Sequence, residues 1–289
     1  MKQLIFSFIA LFFLSHSLIA QEEIKLYKDG PVESNEITAA ETMLQGDFVI
    51  NISNPRMFFY PAAKETNTRT AVLICPGGGY AGVSAIKEGE EIAKWFNTLG
   101  VNAFVLYYRM PNGHTEIPLK DAQTALEIIN NRAKEWNLEK GKIGIMGFSA
   151  GGHLASTVGT HFKTMSQRPD FMILGYPVVT MKSELTHRGS RENLLGKNPS
   201  DELISQYSNE LQVTKNTPPT FIIHAIDDNV VPIENSKQLL KALQENQVPA
   251  ELQVFDVGGH GFGMRKHGIP ADNWPDLLKK WLQLNKLID

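Results

Sequence analysis

Gly147-Phe148-Ser149-Ala150-Gly151 places a serine between glycines in a G-x-S-x-G pattern. The pattern alone is short enough to arise by chance, so its surroundings decide its meaning. Ile143-Gly144-Ile145-Met146 before it reads as a strand, and the stretch 152–159 after it reads as a helix. A sharp turn between the two forces its apex residue into a strained backbone conformation, and flanking glycines avoid the clashes that side chains would cause. Ser149 would then stand clear of a sheet, at a helix N-terminus whose dipole favours developing negative charge. That chemistry is nucleophilic attack. The bland alternative is a glycine-rich turn holding an incidental serine.

A serine hydroxyl is a poor nucleophile until a base takes its proton. On a strand–turn–helix scaffold the partners follow in the order Ser, Asp or Glu, His. Beyond the first twenty residues the histidines are His114, His153, His161, His187, His224, His260 and His267. His260 lies in Gly258-Gly259-His260-Gly261-Phe262, an unobstructed loop between a predicted strand and the last predicted helix. His267 is its rival. His153, one helical turn past Ser149, should pack or hydrogen-bond inside, and His224 falls within a strand as a core histidine. For the acid, Asp227 and Asp228 both follow Phe221-Ile222-Ile223-His224-Ala225. Asp228 opens Asp-Asn-Val-Val-Pro, where Pro232 breaks the extended chain, and it is the choice; Asp227 would then cap or brace the turn. Asp256 is a weaker candidate. The acid's task is to fix the imidazole tautomer and stabilise imidazolium.

The oxyanion formed by such an attack needs donors already in place. Ala150 N–H supplies one by position, and the loop Pro76-Gly77-Gly78-Gly79-Tyr80 should supply the other from Gly78 or Gly79. Consecutive glycines let backbone N–H groups turn together towards a ligand. As a phosphate cradle the run lacks the Lys and Ser/Thr of a P-loop.

The elements that must hold these residues alternate along the chain. Residues 71–75, 101–108, 142–146, 171–176, 220–225 and 251–255 read as strands, the first as one covered on both faces. Ile92, Trp95, Phe96 and Leu99 form one helical stripe, and Leu119, Ala122, Leu126, Ile129, Ala133 and Trp136 a longer one. Helices around 234–245 and from Trp274 to Leu282 follow. This order predicts an α/β protein with a mostly parallel central sheet flanked by helices. Residues 48–52 and 56–60 read as early antiparallel strands, and a polar, irregular insertion near 180–217 should lie over the sheet's carboxyl edge.

The chain has 289 residues, 42% apolar and 20% charged, and a net charge of −3, which gives no reason to expect a nucleic acid partner. A domain of this size buries roughly 75% of its unfolded surface and needs no metal or disulfide staple. The histidines are scattered without ligand spacing, so neither metal nor cofactor is expected. Lys2, the run from Leu4 to Leu14, apolar except for Ser7, and the small residue Ala20 read as a signal peptide over 1–20, too short to span a membrane comfortably, with an N-terminal membrane anchor as the alternative. A polar lead, 21–46, and one catalytic domain, 47–289, follow. Cys75 is the one cysteine, so no intramolecular disulfide can form.

Taken together, Pro76-Gly77-Gly78-Gly79-Tyr80, Tyr108-Arg109-Met110-Pro111, the Ser149 segment through Ala155 and the His260 loop resemble bacterial acetylxylan esterases and related acetylesterases. The stretches His187–Gly196 and His224–Pro232 are similar to that group as well. The resemblance implies an α/β-hydrolase fold, a Ser149–His260–Asp228 triad, and removal of acetyl groups from xylan or other acetylated sugars after export to the periplasm or beyond. Tyr80, His187 and Arg188 are then candidates to line the substrate pocket, and a structural tie for the insertion is the equal alternative for His187 and Arg188. Where hormone-sensitive-lipase-like esterases carry a histidine before the glycine run, this chain has Pro76, which argues against lipid-like esters. The same triad would serve a feruloyl esterase or a peptidase, and a non-catalytic carbohydrate-binding scaffold is the alternative of another class. A glycosidase would need two facing carboxylates, of which there is no obvious pair.

Overall fold

The run Ala71-Val72-Leu73-Ile74-Cys75 is too short for a stable helix and apolar at every position, and it forms a strand buried along its whole length at the middle of a sheet. In the computed structural model, residues 22–289 are described; the leader expected over 1–20 lies outside them. The strands are β1 (Glu22–Lys25), β2 (Thr42–Met43), β3 (Phe48–Ile50), β4 (Arg56–Tyr60), β5 (Ala71–Cys75), β6 (Gly82–Ser84), β7 (Asn102–Tyr107), β8 (Ile143–Phe148), β9 (Met172–Gly175), β10 (Thr220–Ala225) and β11 (Ala250–Phe255). The helices are α1 (Glu91–Thr98), α2 (Ile117–Asn131), α3 (Ser149–His161), α4 (Arg188–Leu195), α5 (Asp201–Tyr207), α6 (Glu234–Glu245) and α7 (Trp274–Leu284), and a π-helical turn, Ile86–Glu90, leads into α1.

The large sheet has the order β1-β4-β7-β5-β8-β9-β10-β11. It is parallel from β7 to β11, with β4 and β1 added antiparallel at one edge. The sheet is thus the α/β-hydrolase arrangement, and the expected mostly parallel sheet is present. Alternation along β5 divides the core in two. Leu73 and Cys75 face a cluster with Leu126 of α2, Val158 of α3 and Leu239 of α6, while Val72 and Ile74 face one with Phe96 of α1 and Trp281 of α7. The chain runs outward from β5 in both directions, to β7 and to β8. The crevice beyond the carboxyl ends of those strands is where open parallel sheets bind ligands.

Two stretches differ from the sequence reading. The 21–46 lead is no separate segment: Glu22–Lys25 pairs with Arg56–Phe59 in the main sheet, and the buried Asn35 Nδ2 donates to the carbonyls of Ile52 and Met110. The 180–217 insertion is not irregular, because it carries α4 and α5. Both are short helices started by side-chain caps, His187 accepting from Ser190 N–H and Ser200 from Leu203 N–H.

Candidate active site

Ser149 is the first residue of α3, where the chain leaves β8, and has φ +52°. The turn is so tight that a Cβ on Gly147 would stand 2.0 Å from the Gly151 carbonyl oxygen, and one on Gly151 would stand 2.1 Å from that of Cys75. Only glycine fits at either position, and the serine between them carries the backbone strain.

The other two candidates arrive from the far end of the sheet. Asp228 follows β10 and His260 follows β11, 32 residues apart in sequence. His260 Nδ1–H donates to Asp228 Oδ2 at 2.7 Å, and Ser149 Oγ–H faces His260 Nε2 at 2.9 Å. Asp228 Oδ1 accepts the backbone N–H groups of Val230 and Val231, each at 2.9 Å. His224 Nε2 donates to the Val231 carbonyl at 2.9 Å and also lies 3.2 Å from Asp228 Oδ2. Burial alone would push this carboxyl group up. The donors from His224 and His260 and the charge on His260 outweigh it, and hold Asp228 well below the usual carboxylate range. An ionised acceptor keeps the His260 proton on Nδ1 and leaves Nε2 facing the Ser149 hydroxyl as an acceptor.

A cleft of about 360 Å³ opens over Ser149, bordered by Gly78, Gly79, Lys87, His187 and His260. Gly77 N–H is taken by Glu88 Oε2 at 2.8 Å, and the peptides of Gly78 and Gly79 follow it along the cleft wall. Ala150 is buried immediately after Ser149, at the N-terminus of α3. Tyr108 O–H donates to the Pro76 carbonyl at 2.8 Å and steadies the start of the glycine loop. Asn193 Nδ2 of α4 donates to the Gly79 carbonyl at 2.8 Å and ties the insertion to it.

Of the pocket candidates, the structure brings one to the cleft. His187 borders it with its Nδ1 accepting from Ser190 N–H at 3.2 Å, which leaves the proton of the neutral ring on Nε2; burial and then the charge of His260 push its pKa down. Tyr80, expected there, is turned inward instead and is 2% exposed. Its hydroxyl donates to His153 Nδ1 at 2.8 Å, and His153 Nε2–H donates to the Tyr207 carbonyl at 2.8 Å. Arg188, also expected there, points to solvent with a side chain 88% exposed and pairs with Glu192 one turn along α4. Asp227 Oδ1 accepts from Gly258 N–H and Gly259 N–H, at 2.9 and 2.7 Å, so it braces the loop that carries His260. His267 is exposed, its backbone N–H held by Asp272.

Glu88, Tyr176 and the His224 contact with Asp228 were not singled out as functional by sequence. Glu88 stands in Lys87-Glu88-Gly89-Glu90-Glu91, which reads as a solvated charged stretch, and no spacing rule marks it as buried. Among the described residues no group of three or more His, Cys, Asp or Glu side chains is placed to hold a metal ion.

Comparison with known proteins adds to this geometry. Residues 57–243 match the family described as BD-FAE. The chain is 38% identical over 244 residues to an acetylxylan esterase of Xylanibacter ruminicola, covering 82% of this chain and 50% of that protein. It is 39% identical over 221 residues to endo-1,4-beta-xylanase B of Butyrivibrio fibrisolvens, covering 72% of this chain and 34% of that one. The chain therefore spans half the length, or less, of these two curated relatives. Among solved structures, the acetyl ester-xyloside bifunctional hydrolase of Caldicellulosiruptor lactoaceticus superposes with a TM-score of 0.79 at 34% identity, over 93% of this chain and 97% of that one.

Proposed function

We propose, from the premise that this chain belongs to the BD-FAE family of acetylxylan esterase-like α/β-hydrolases, that it is a serine esterase removing acetyl groups from acetylated xylan or related acetylated sugars. Carboxylic ester hydrolysis goes with the family. The observation that carries the serine-nucleophile reading is the unbroken relay from Asp228 through His260 to Ser149, at 2.7 and 2.9 Å, and the acetylated-sugar substrate follows from the relatives.

The reaction takes two steps. His260 Nε2 removes the Ser149 proton as Oγ attacks the acetyl carbonyl, and Ala150 N–H with Gly78 or Gly79 N–H receives the oxyanion. His260 returns the proton to the departing sugar oxygen, leaving an acetyl-enzyme. It then takes a proton from a water whose oxygen attacks the acyl carbon, and gives that proton to Ser149 Oγ as the acyl bond breaks, releasing acetate and freeing Ser149. The small cleft favours a short acyl group. Its wall is mostly glycine and charged side chains, with Phe48 and Val230 as its larger apolar residues, and a feruloyl ring would call for a deeper apolar slot. Export, periplasmic or secreted, suits a polysaccharide substrate and rests on residues 1–20.

The test is Ser149→Ala beside the wild type on 4-nitrophenyl acetate, acetylated xylo-oligosaccharides, methyl ferulate and an aminoacyl peptide. The variant should lose on the order of 10⁴-fold or more in kcat, and the wild type should release acetate from the xylo-oligosaccharides in preference to the other acyl groups. Turnover retained by Ser149→Ala would remove the nucleophile. Preference for ferulate or peptide would replace the substrate class and leave the triad standing.

A further inference from the structure

The acyl-transfer scheme leaves two carboxylates in the cleft wall without a role, Asp47 and Glu88, and Glu88 is the one bonded to the glycine loop. Glu88 is only 4% exposed, and it sits in the middle of the π-helical turn beside Ser149. Turns of this kind are rare and frequent at functional sites. Among the described residues no Lys, Arg or His pairs with it as an ion, so its charge is held by neutral donors. Gly77 N–H donates to Oε2 and Tyr176 O–H to Oε1, both at 2.8 Å. Hydrogen bonds to an ionised acceptor are stronger and more directional than those between neutral groups.

Both bonds end on the catalytic apparatus. Gly77 opens the loop that carries the oxyanion donors, and a Cβ placed on it would lie 2.6 Å from Glu88 Oε2 and 3.0 Å from Ser149 Cβ. The carboxylate, this peptide and the nucleophile are therefore packed in direct succession. On the other side, Tyr176 follows β9 with φ +36°, and its ring meets the His260 ring edge-on, with centroids 5.0 Å apart. The Tyr176 hydroxyl also accepts from Gly263 N–H at 3.3 Å, three residues past His260. The turn cannot let Glu88 drift outward. Asp47 Oδ2 holds Lys87 N–H at 2.7 Å, and Gly89 is pressed so close to Val105 that a Cβ would come within 2.8 Å of its Cγ1.

We propose that Glu88 is a positioning residue: through Gly77 and Tyr176 it sets the separation between the oxyanion donors and the His260 imidazole. The proposal rests on the Ser149 reading above. A negative charge near the oxyanion cannot favour it directly, so the contribution of Glu88 is placement, and misplacement by about 1 Å can cost roughly 100-fold in rate.

The experiment compares wild type, Glu88→Ala, Glu88→Gln, Tyr176→Phe and the Glu88→Ala/Tyr176→Phe double variant. Each is titrated with a fluorophosphonate to count reactive serines before kcat and KM are measured on 4-nitrophenyl acetate. Per titrated site, Glu88→Ala should lose about 30- to 100-fold in kcat with KM within about twofold. Glu88→Gln keeps an acceptor for Gly77 N–H and should recover part of the loss. Tyr176→Phe should lose about tenfold, and the double variant should be no worse than Glu88→Ala, since both act through one linkage. Wild-type kcat per site with only a lower Tm, a rise in KM at constant kcat, or additive losses would each overturn the proposal. If Glu88→Ala does not fold, an unchanged kcat in Tyr176→Phe overturns it equally. A wild type that is not labelled at Ser149 would sink the parent reading, whereas a labelled wild type with indifferent Glu88 variants sinks this one alone.

Discussion

Replacing Asp228 with asparagine exchanges one oxygen for an NH₂ group and, on this geometry, disables the base without moving it. Oδ1 accepts from Val230 and Val231 N–H at 2.9 Å each, so the amide oxygen of the variant must take that side. Its NH₂ group then faces His260 Nδ1, where Oδ2 stood at 2.7 Å, and His224 Nε2, at 3.2 Å. His224 cannot yield by changing tautomer, because its Nε2 proton is also committed to the Val231 carbonyl at 2.9 Å. His260 is free to yield. It accepts from the new NH₂ by losing its Nδ1 proton, and the neutral ring then carries its proton on Nε2, the atom that faces Ser149 Oγ at 2.9 Å. The base has become a donor. The equivalent change in another serine triad lowers kcat about 10⁴-fold, or about 5.4 kcal/mol of transition-state stabilisation. We expect 10³- to 10⁴-fold here by the same mechanism, read as kcat on 4-nitrophenyl acetate at neutral pH, with KM little changed. Asp227→Asn is the internal control: its amide oxygen can still accept from Gly258 and Gly259 N–H, and its loss should stay below about threefold. Asp228→Asn within tenfold of wild type, or Asp227→Asn falling as far, would refute the reasoning.

The glycine loop and the buried histidine give two further expectations. At Gly78, with φ +150°, a Cβ would lie 2.1 Å from the Gly82 carbonyl oxygen, so Gly78→Ala should displace the loop and lower kcat by about 10²- to 10³-fold. At Gly79, with φ +63°, a Cβ would meet nothing nearer than His187 Cε1 at 3.6 Å, so Gly79→Ala should cost about 1–2 kcal/mol of strain and keep most activity; kcat and Tm on both variants check this, and a reversed order would refute it. Burial pushes the His153 imidazole down to about 4. The unfolded chain therefore takes up a proton below about 6.5 that the folded chain refuses, so this contribution to stability is complete above that pH and is lost as pH falls towards 4. Urea unfolding of wild type and His153→Gln at pH 8 and pH 5 should show the wild-type advantage shrinking by about 2 kcal/mol; a gap that does not change with pH would exclude this account.

How much of this was readable beforehand depended on whether a residue is marked by its own backbone or by its neighbours. Ser149 and the glycines around it were legible because the turn excludes every side chain at Gly147 and Gly151. The sheet was legible because short apolar runs alternate with amphipathic stretches. Tyr80 was expected in the pocket from the family resemblance of its glycine run, and its own position does not reveal the partner that turns it inward, His153, 73 residues away. Arg188 was expected in the pocket from the family resemblance, whereas it is solvent-exposed and paired with Glu192 one turn along α4. Strand β1 was hidden in polar sequence because an edge strand buries few side chains, here Ile24 among its four residues. The helices of 180–217 were missed for a related reason: α4 and α5 are short and mostly polar, with little apolar stripe to read.

Glu88 is the extreme case, because nothing in its own sequence distinguishes it from the surface acids beside it. Its position nevertheless changes how the site must be understood. Two bonded paths reach the loop of His260 and Gly263, one from the Ser149 turn and one from the Gly77 loop. One runs directly, from Ser149 Oγ to His260 and on to Asp228, and in the proposed mechanism it moves a proton. The other runs from Gly77 through Glu88 and Tyr176 to Gly263, and in the proposed mechanism it moves none. The first path alone would leave the imidazole hinged on Asp228, with nothing fixing the distance from the oxyanion donors to the ring that must return the proton. The second path closes that distance from below. On this view Asp228→Asn should spoil the protonation state in an intact geometry, and Glu88→Ala should spoil the geometry around a competent base. The pH dependence of kcat/KM separates them: the first should change its shape, while the second should lower it uniformly.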